Sequence, residues 1–183
     1  LSLNLHQINQ SWTLFLDRDG VINHEKREDY ILNWDEFKFY DGVIEAMNIF
    51  NKKFGTIVMV TNQRGIGKQL MTEDDLHHIH YNMLAEIQAG NGRIDKIYYC
   101  TDLNNDSMNR KPNPGMAYQA KNDFVHIDFT KSIMVGNRLS DMGFGRNAGM
   151  HTVFLATTNP ETPYPHNDID TRFESLLAFA KAL

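Results

Sequence analysis

Thr13-Leu14-Phe15-Leu16-Asp17-Arg18-Asp19-Gly20-Val21-Ile22-Asn23 decides how the chain is read. Four apolar or β-branched residues run into two carboxylates one residue apart, and a glycine follows. A short apolar run of this kind reads as a buried strand. Open α/β sheets bind ligands outside the carboxyl ends of their strands, which puts Asp17 and Asp19 at the binding edge. Strand alternation points both side chains the same way. Two acids facing one pocket call for a cation, and oxygen donors suit a hard ion such as Mg2+. The plainer reading is a strand-end turn, where Asp and Gly are common. The other strand ends decide between the two.

A second apolar run, 56–60, ends in Thr61-Asn62-Gln63 and then Arg64-Gly65-Ile66-Gly67-Lys68. A hydroxyl, an amide and flexible glycines make an anion cradle, although Gly-x-Gly alone is weak evidence of one. A third strand is expected over 94–99. A polar loop, 100–109, separates it from Arg110-Lys111-Pro112-Asn113-Pro114-Gly115. Lys is a compact charge that reaches a phosphate or neutralises an acid, and Arg grips phosphate with two donors. As an isolated pair they would read as surface charge. The fourth strand, 132–135, runs into Gly136-Asn137-Arg138-Leu139-Ser140-Asp141, and a fifth covers 152–155.

Helices are expected over 41–50 with Asp41 as N-cap, 72–89 with Thr72 as cap, 114–124, and 172–182. Gly143, Gly145 and Ala148-Gly149 indicate a further helix lying close on the sheet. His77 and His80 share a helical face, but no acid or cysteine completes a metal site, so they read as packing or solvated residues. The long connection 21–40 holds Tyr30, Trp34, Phe37, Phe39 and Tyr40, most of which are expected to pack beneath it. Strands alternating with helices give a parallel sheet covered on both faces. Parallel strands share one carboxyl edge, so Asp17, Asp19, Thr61, Lys111, Asn137 and Asp141 can converge there. The combination fits metal-assisted phosphoryl transfer with a carboxylate nucleophile.

The 183 residues suit one domain, 1–183, with 42% hydrophobic and 22% charged residues. A net charge of -5 disfavours non-specific nucleic-acid binding. Cys100 is the one cysteine, so no intrachain disulfide forms and a reducing compartment is compatible. No apolar run approaches the ~20 residues of a membrane helix. The opening Leu1-Ser2-Leu3-Asn4-Leu5-His6-Gln7 has neither the basic start nor the apolar core of a signal peptide. The sequence sets no oligomeric state.

Taken together, Asp17-Arg18-Asp19-Gly20-Val21, Thr61-Asn62, Lys111, and Gly136-Asn137 through Asp141 resemble the four motifs of the haloacid dehalogenase (HAD) superfamily of phosphohydrolases. With Tyr30, Asp41-Gly42-Val43, Gly65-Ile66, Arg110-Lys111-Pro112 and Pro114-Gly115-Met116, the chain is similar over roughly residues 12–156 to the family of heptose-1,7-bisphosphate 7-phosphatases and histidinol-phosphate phosphatases. The resemblance implies a Rossmann-like three-layer α/β domain and an aspartyl-phosphate on Asp17. Asp19 would act as general acid and then base. Thr61 and Lys111 would hold the phosphoryl group, and Asn62 and Arg110 would place the substrate. Mg2+ would sit on Asp17, the Asp19 carbonyl, Asn137 and Asp141. About 50 residues separate the second and third motifs, too few for a large cap domain, which implies the capless branch. The implied partner is a small phosphorylated molecule, with a cytoplasmic setting and a product that feeds envelope polysaccharide.

Two departures stand out. Family members commonly carry a zinc loop before Arg-Lys-Pro, with a Cys, a His and a Cys-x-Cys pair. Here Cys100 fits the first position, but Ser107 and Asn109 replace the pair, so no zinc is expected. The fourth motif usually begins Gly-Asp, and here it is Gly136-Asn137. The uncharged amide implies weaker Mg2+ binding, with Asp141 partly compensating. The 7-phosphate of D-glycero-D-manno-heptose 1,7-bisphosphate is the leading substrate. Histidinol phosphate or another small phosphate ester, and a phosphate-binding protein that has lost turnover, are the alternatives.

Overall fold

Alternation along the first strand, β1 (Thr13–Leu16), sorts the two faces of the fold. In the computed structural model, which describes residues 2–183, all four of its residues are buried. Leu14 and Leu16 join one apolar cluster and Phe15 the other. The second strand, β2 (Thr56–Asn62), repeats the rule, with Ile57 and Met59 on the first side and Val58 and Val60 on the second. The sheet is completed by β3 (Lys96–Cys100), β4 (Ser132–Gly136), β5 (His151–Leu155) and β6 (Thr171–Phe173). All pairings are parallel, in the order β3-β2-β1-β4-β5-β6. The near-continuous apolar strands are those of a sheet covered on both faces.

On the Leu14 side lie α1 (Val43–Lys53), α3 (Glu73–Ala89) and α6 (Leu176–Lys181); on the Phe15 side lie α4 (Gly115–Asp123) and α5 (Leu139–Ala148). Between β2 and α3 sits a single turn, α2 (Arg64–Gly67). No inserted cap separates β2 from the Arg110-Lys111 segment. No helix among the described residues is long and apolar enough to cross a membrane.

The strand order places the site. From β1 the chain steps outward through β2 and β3, then returns to the other side of β1 with β4. Connections leave in opposite directions from β1 and β4, and a crevice opens at their carboxyl ends. Asp17 N–H donates to Val135 O at 3.0 Å, so the pairing runs on into the acidic turn.

Several local expectations differ from what is found. The helix expected from Asp41 starts at Val43, because Gly42 occupies the N-cap position with φ +82°. Asp41 is exposed there, and no side chain caps the helix. The segment expected as one helix over 172–182 pairs first as β6 with β5, and Ser175, which accepts from Ala178 N–H, then starts α6. β2 continues through Thr61 and Asn62, and the expected glycine-rich loop is helical over α2. Thr72 caps α3 in a reciprocal box with Asp75. Trp34, Phe37 and Phe39 pack together under the 21–40 connection, while Tyr30 faces the cleft described below.

Arg146 on α5 secures the irregular stretch before β6. Its guanidinium donates to both Asp170 oxygens (2.6 and 2.9 Å) and to the Asn167 carbonyl. Asp170 also accepts from Thr152 N–H, which aligns the edge strand. Arg146→Met is expected to lower folding stability by about 2 kcal/mol, the scale of one or two hydrogen bonds to a charged group. Urea denaturation measures it, and wild-type stability would count against this anchoring.

Candidate active site

Lys111 is the hub of the crevice. Its Nζ donates to Asp17 Oδ1 at 2.8 Å and to Asp141 Oδ1 at 2.7 Å, with only 2% of its side chain exposed. Asn62 fixes its backbone: Lys111 N–H donates to Asn62 Oδ1 at 3.1 Å, and Asn62 Nδ2 donates to the Lys111 carbonyl at 3.2 Å. Asp141 Oδ2 accepts from the N–H groups of Asn137 and Arg138, both at 3.1 Å, at the start of α5. Gly136 makes the approach possible, since a Cβ there would lie 2.1 Å from Asp141 Cβ.

Burial pushes the Asp17 carboxyl up to about 7, with the nearby Asp141 adding to the effect and Lys111 opposing it. Burial would lower the Lys111 ammonium, but Asp141 and Asp17 outweigh that and raise it. Lys111 is therefore charged.

Asp19, two residues on, meets opposite conditions. Arg18 donates to its Oδ1 from Nε and Nη2, Asn23 Nδ2 donates to the same oxygen, and Gln63 Nε2 donates to Oδ2 at 3.2 Å. Burial would raise the Asp19 carboxyl, but the Arg18 charge and these hydrogen bonds outweigh it and hold it below the usual range. Gln63 Nε2 also donates to Thr61 Oγ1 at 2.8 Å. With its oxygen accepting, the Thr61 hydroxyl hydrogen is free to serve another acceptor. Arg18 is itself fully buried, with Nη1 3.1 Å from His80 Nε2 and its guanidinium over the Phe37 ring. Burial and the Arg18 charge push His80 down to about 3, so it is a neutral acceptor. His77 lies apart from it, against Tyr99.

Asn137 fills a slot beside both acids. Turned nitrogen-inward, its amide donates to Asp17 Oδ2 and to the Asp19 carbonyl, each at 3.2 Å, and accepts from Thr158 Oγ1 at 2.6 Å. Among the described residues no three His, Cys, Asp or Glu side chains gather as metal ligands. The oxygens that do converge are one from Asp17, the Asp19 carbonyl and, with the amide reversed, Asn137 Oδ1. This hard, all-oxygen set fits Mg2+. Asp141 stands apart from that set, with Oδ1 on Lys111 and Oδ2 on two backbone N–H groups.

The crevice opens into a cleft of about 610 Å³ that Asp17, Asp19, Asn62, Lys111 and Asp141 line from below. Arg64, Lys68 and Arg110 stand on one wall, and Glu25 and Arg138 form an ion pair at 2.9 Å on another. Arg64 Nη2 donates to the Leu103 carbonyl and Asn105 Oδ1, yet its Nε is buried without an acceptor, as is Arg110 Nη1. Burial and the charge of Arg64 lower Arg110. The cluster of Asp17, Asp19, Thr61, Lys111, Asn137 and Asp141 was legible as a set of strand ends. Gln63 and Arg18 lay inside quoted motifs without an assigned task. Arg64 likewise stood in the segment quoted after the second strand, without a task of its own, whereas Glu25 and Thr158 come from other segments and carry no local signal.

The fold and site define a HAD-like hydrolase, and the family model for HAD-hydrolase-like proteins matches residues 108–169. A D-glycero-alpha-D-manno-heptose-1,7-bisphosphate 7-phosphatase of Campylobacter jejuni is 39% identical over 142 residues, covering 78% of this chain and 80% of its own. A D-glycero-beta-D-manno-heptose-1,7-bisphosphate 7-phosphatase of Escherichia coli K12 is 36% identical over 179 residues, covering 93% and 92%. A crystal structure of D,D-heptose 1,7-bisphosphate phosphatase from B. bronchiseptica, complexed with magnesium and phosphate, superposes with a TM-score of 0.85. It is 25% identical and covers 93% of this chain and 97% of its own. The chain belongs to the heptose-bisphosphate 7-phosphatase family of HAD-like hydrolases, and it is a phosphatase.

His80→Gln keeps an acceptor for Arg18 but removes a titrating group. Unfolded, His80 takes a proton below about pH 6.5; folded, it does so only near 3. Between these values the unfolded chain binds more protons, so the stability that depends on His80 falls as pH falls. Stability of the wild type relative to H80Q is expected to drop by about 2 kcal/mol from pH 7.5 to pH 5 in chemical denaturation. A pH-independent difference would show that His80 is not held neutral.

Proposed function

We propose that this phosphatase removes the 7-phosphate from D-glycero-D-manno-heptose 1,7-bisphosphate. Family membership supports a phosphorylated sugar. The observation that favours a bisphosphate is the set of cations Arg64, Lys68 and Arg110 that line the same cleft as Asp17 and Lys111. Guanidinium groups bind phosphate with paired donors, and an ammonium adds a compact charge. One phosphate reacts at Asp17 while the other meets Arg64 and Arg110, and Lys68 adds charge beside them.

In the first step a carboxylate oxygen of Asp17 attacks phosphorus, the bond to the sugar oxygen breaks, and Asp19 gives that oxygen its proton. In the second step Asp19 takes a proton from water, the hydroxide attacks phosphorus, and Asp17 leaves as carboxylate. Lys111 and the Thr61 hydroxyl hold the phosphoryl oxygens. Asn62 acts through Lys111, whose backbone it clamps, and Asp141 holds the ammonium in place. Asp17, the Asp19 carbonyl and Asn137 would hold Mg2+, whose positive charge favours the ionised, nucleophilic form of Asp17 and offsets the charge of the phosphoryl group. No zinc is proposed for the loop after β3. Its turns are tied by Arg64, by the Ser107–Asp102 hydrogen bond and by Asn113 Nδ2 on the Ser107 carbonyl. Residues 1–183 are read as one such domain. The cytoplasmic setting and the supply of activated heptose to envelope polysaccharide rest on the resemblance alone.

Phosphate release tests the reading, with the heptose bisphosphate, heptose 7-phosphate and histidinol phosphate compared over a Mg2+ titration. Asp17→Asn is expected to abolish turnover of every substrate. Arg64→Met and Arg110→Met are each expected to raise KM for the bisphosphate by about 10–100-fold, with little change for the monophosphate. Equal losses on both sugars would remove the second-phosphate site. A preference for histidinol phosphate would replace the substrate.

A further inference from the structure

The Asn137 carboxamide fits its slot two ways round, and each orientation has its own set of partners. Nitrogen-inward, it donates to Asp17 Oδ2 and the Asp19 carbonyl, each at 3.2 Å, while Oδ1 accepts from Thr158. The Thr158 hydroxyl accepts in turn from Asn159 Nδ2 at 3.1 Å. All donors in this chain point one way, from Asn159 through Thr158 and Asn137 to the two acidic positions. Nitrogen-outward, Nδ2 donates to Thr158 Oγ1 at 2.6 Å and faces Glu25 Oε1 at 3.4 Å. Oδ1 then faces the Asp17 and Asp19 oxygens, and three oxygens meet with no hydrogen between them. That arrangement is repulsive without a cation and is a ligand set with one.

Both orientations occupy the same volume, so passing between them needs only rotation about the last side-chain bond. A hydroxyl can donate or accept by turning its hydrogen, so Thr158 serves both. Glu25 accepts only, and Arg138 holds it in place, so it favours the outward nitrogen. Resting on the Mg2+ reading above, we propose that the Asn137 carboxamide stands in for the divalent cation in the metal-free protein and turns end for end when the cation binds. The chain thereby gives up metal affinity and gains stability without metal. An aspartate at 137 could not play this part. It would bring a stronger ligand for the cation but no N–H for the two oxygens in its absence.

Thermal unfolding in EDTA and in saturating MgCl2, with Mg2+ titration by calorimetry, tests this at pH 8 without substrate. Asn137→Asp is expected to melt at least about 3 °C below wild type in EDTA, to gain more from Mg2+, and to bind it at least about tenfold more tightly. Thr158→Val removes the donor to the inward amide but leaves Glu25 for the outward one. It too should melt lower in EDTA and gain more from Mg2+ than wild type, and it decides the matter if N137D does not fold without metal. Equal stability in EDTA with equal Mg2+ gains would overturn the inference alone. No response to Mg2+ in any of the three proteins would overturn the metal reading along with it.

Discussion

The buried Lys111 ammonium is the interaction on which the site depends. It joins the end of β1 through Asp17, the start of α5 through Asp141, and the end of β2 through the Asn62 clamp on its backbone. Removing one member of such a buried cluster leaves uncompensated charge, at a cost of about 3–5 kcal/mol. The charge thus fastens two segments distant in sequence while the backbone of the same residue holds a third, and in the proposed reaction the ammonium also meets the phosphoryl oxygens. The crevice between β1 and β4 provides the place, and Lys111 draws its walls together.

Asp17 and Asp19 show how environment divides labour between identical groups two residues apart. Asp17 lies among apolar strands and shares its cation with another acid, so its carboxyl is raised. Asp19 is surrounded by donors, so its carboxyl is lowered. In the proposed reaction the first becomes a ready nucleophile when a divalent charge adjoins it. The second rests as a base and becomes an acid as the negative phosphoryl group arrives. His80 contributes at a distance, because a neutral imidazole lets α3 hold Arg18 without competing for its charge.

The sheet was legible because its strands are apolar runs that stop at polar residues, a pattern that needs no tertiary information. The acids, Thr61 and Asn62 were legible for the same reason, since each stands at a strand end or just beyond one, and Lys111 was legible from the Arg-Lys-Pro motif that follows the loop after β3. What escaped was whatever depends on contact between segments. Gly42 displaced Asp41 as the start of α1 because the chain turns there with positive φ. Residues 171–173 became strand because β5 had an open edge, and local helical spacing could not register that. That both ends of the Asn62 amide meet the Lys111 backbone is one such contact. Arg64, Glu25 and Thr158 matter through partners 20 or more residues away.

Gly20 turns with φ +85°, and a Cβ there would lie 2.1 Å from the Asn137 amide nitrogen. The missing side chain of one motif is thus the room occupied by the side chain of another. Positions 20 and 137 act as mould and casting. The bare turn sets an upper limit on what residue 137 can be, and the carboxamide fills the hollow that the turn leaves. Any redesign of position 137 must therefore work through the chemistry of a four-heavy-atom side chain, because its size is already fixed from across the crevice.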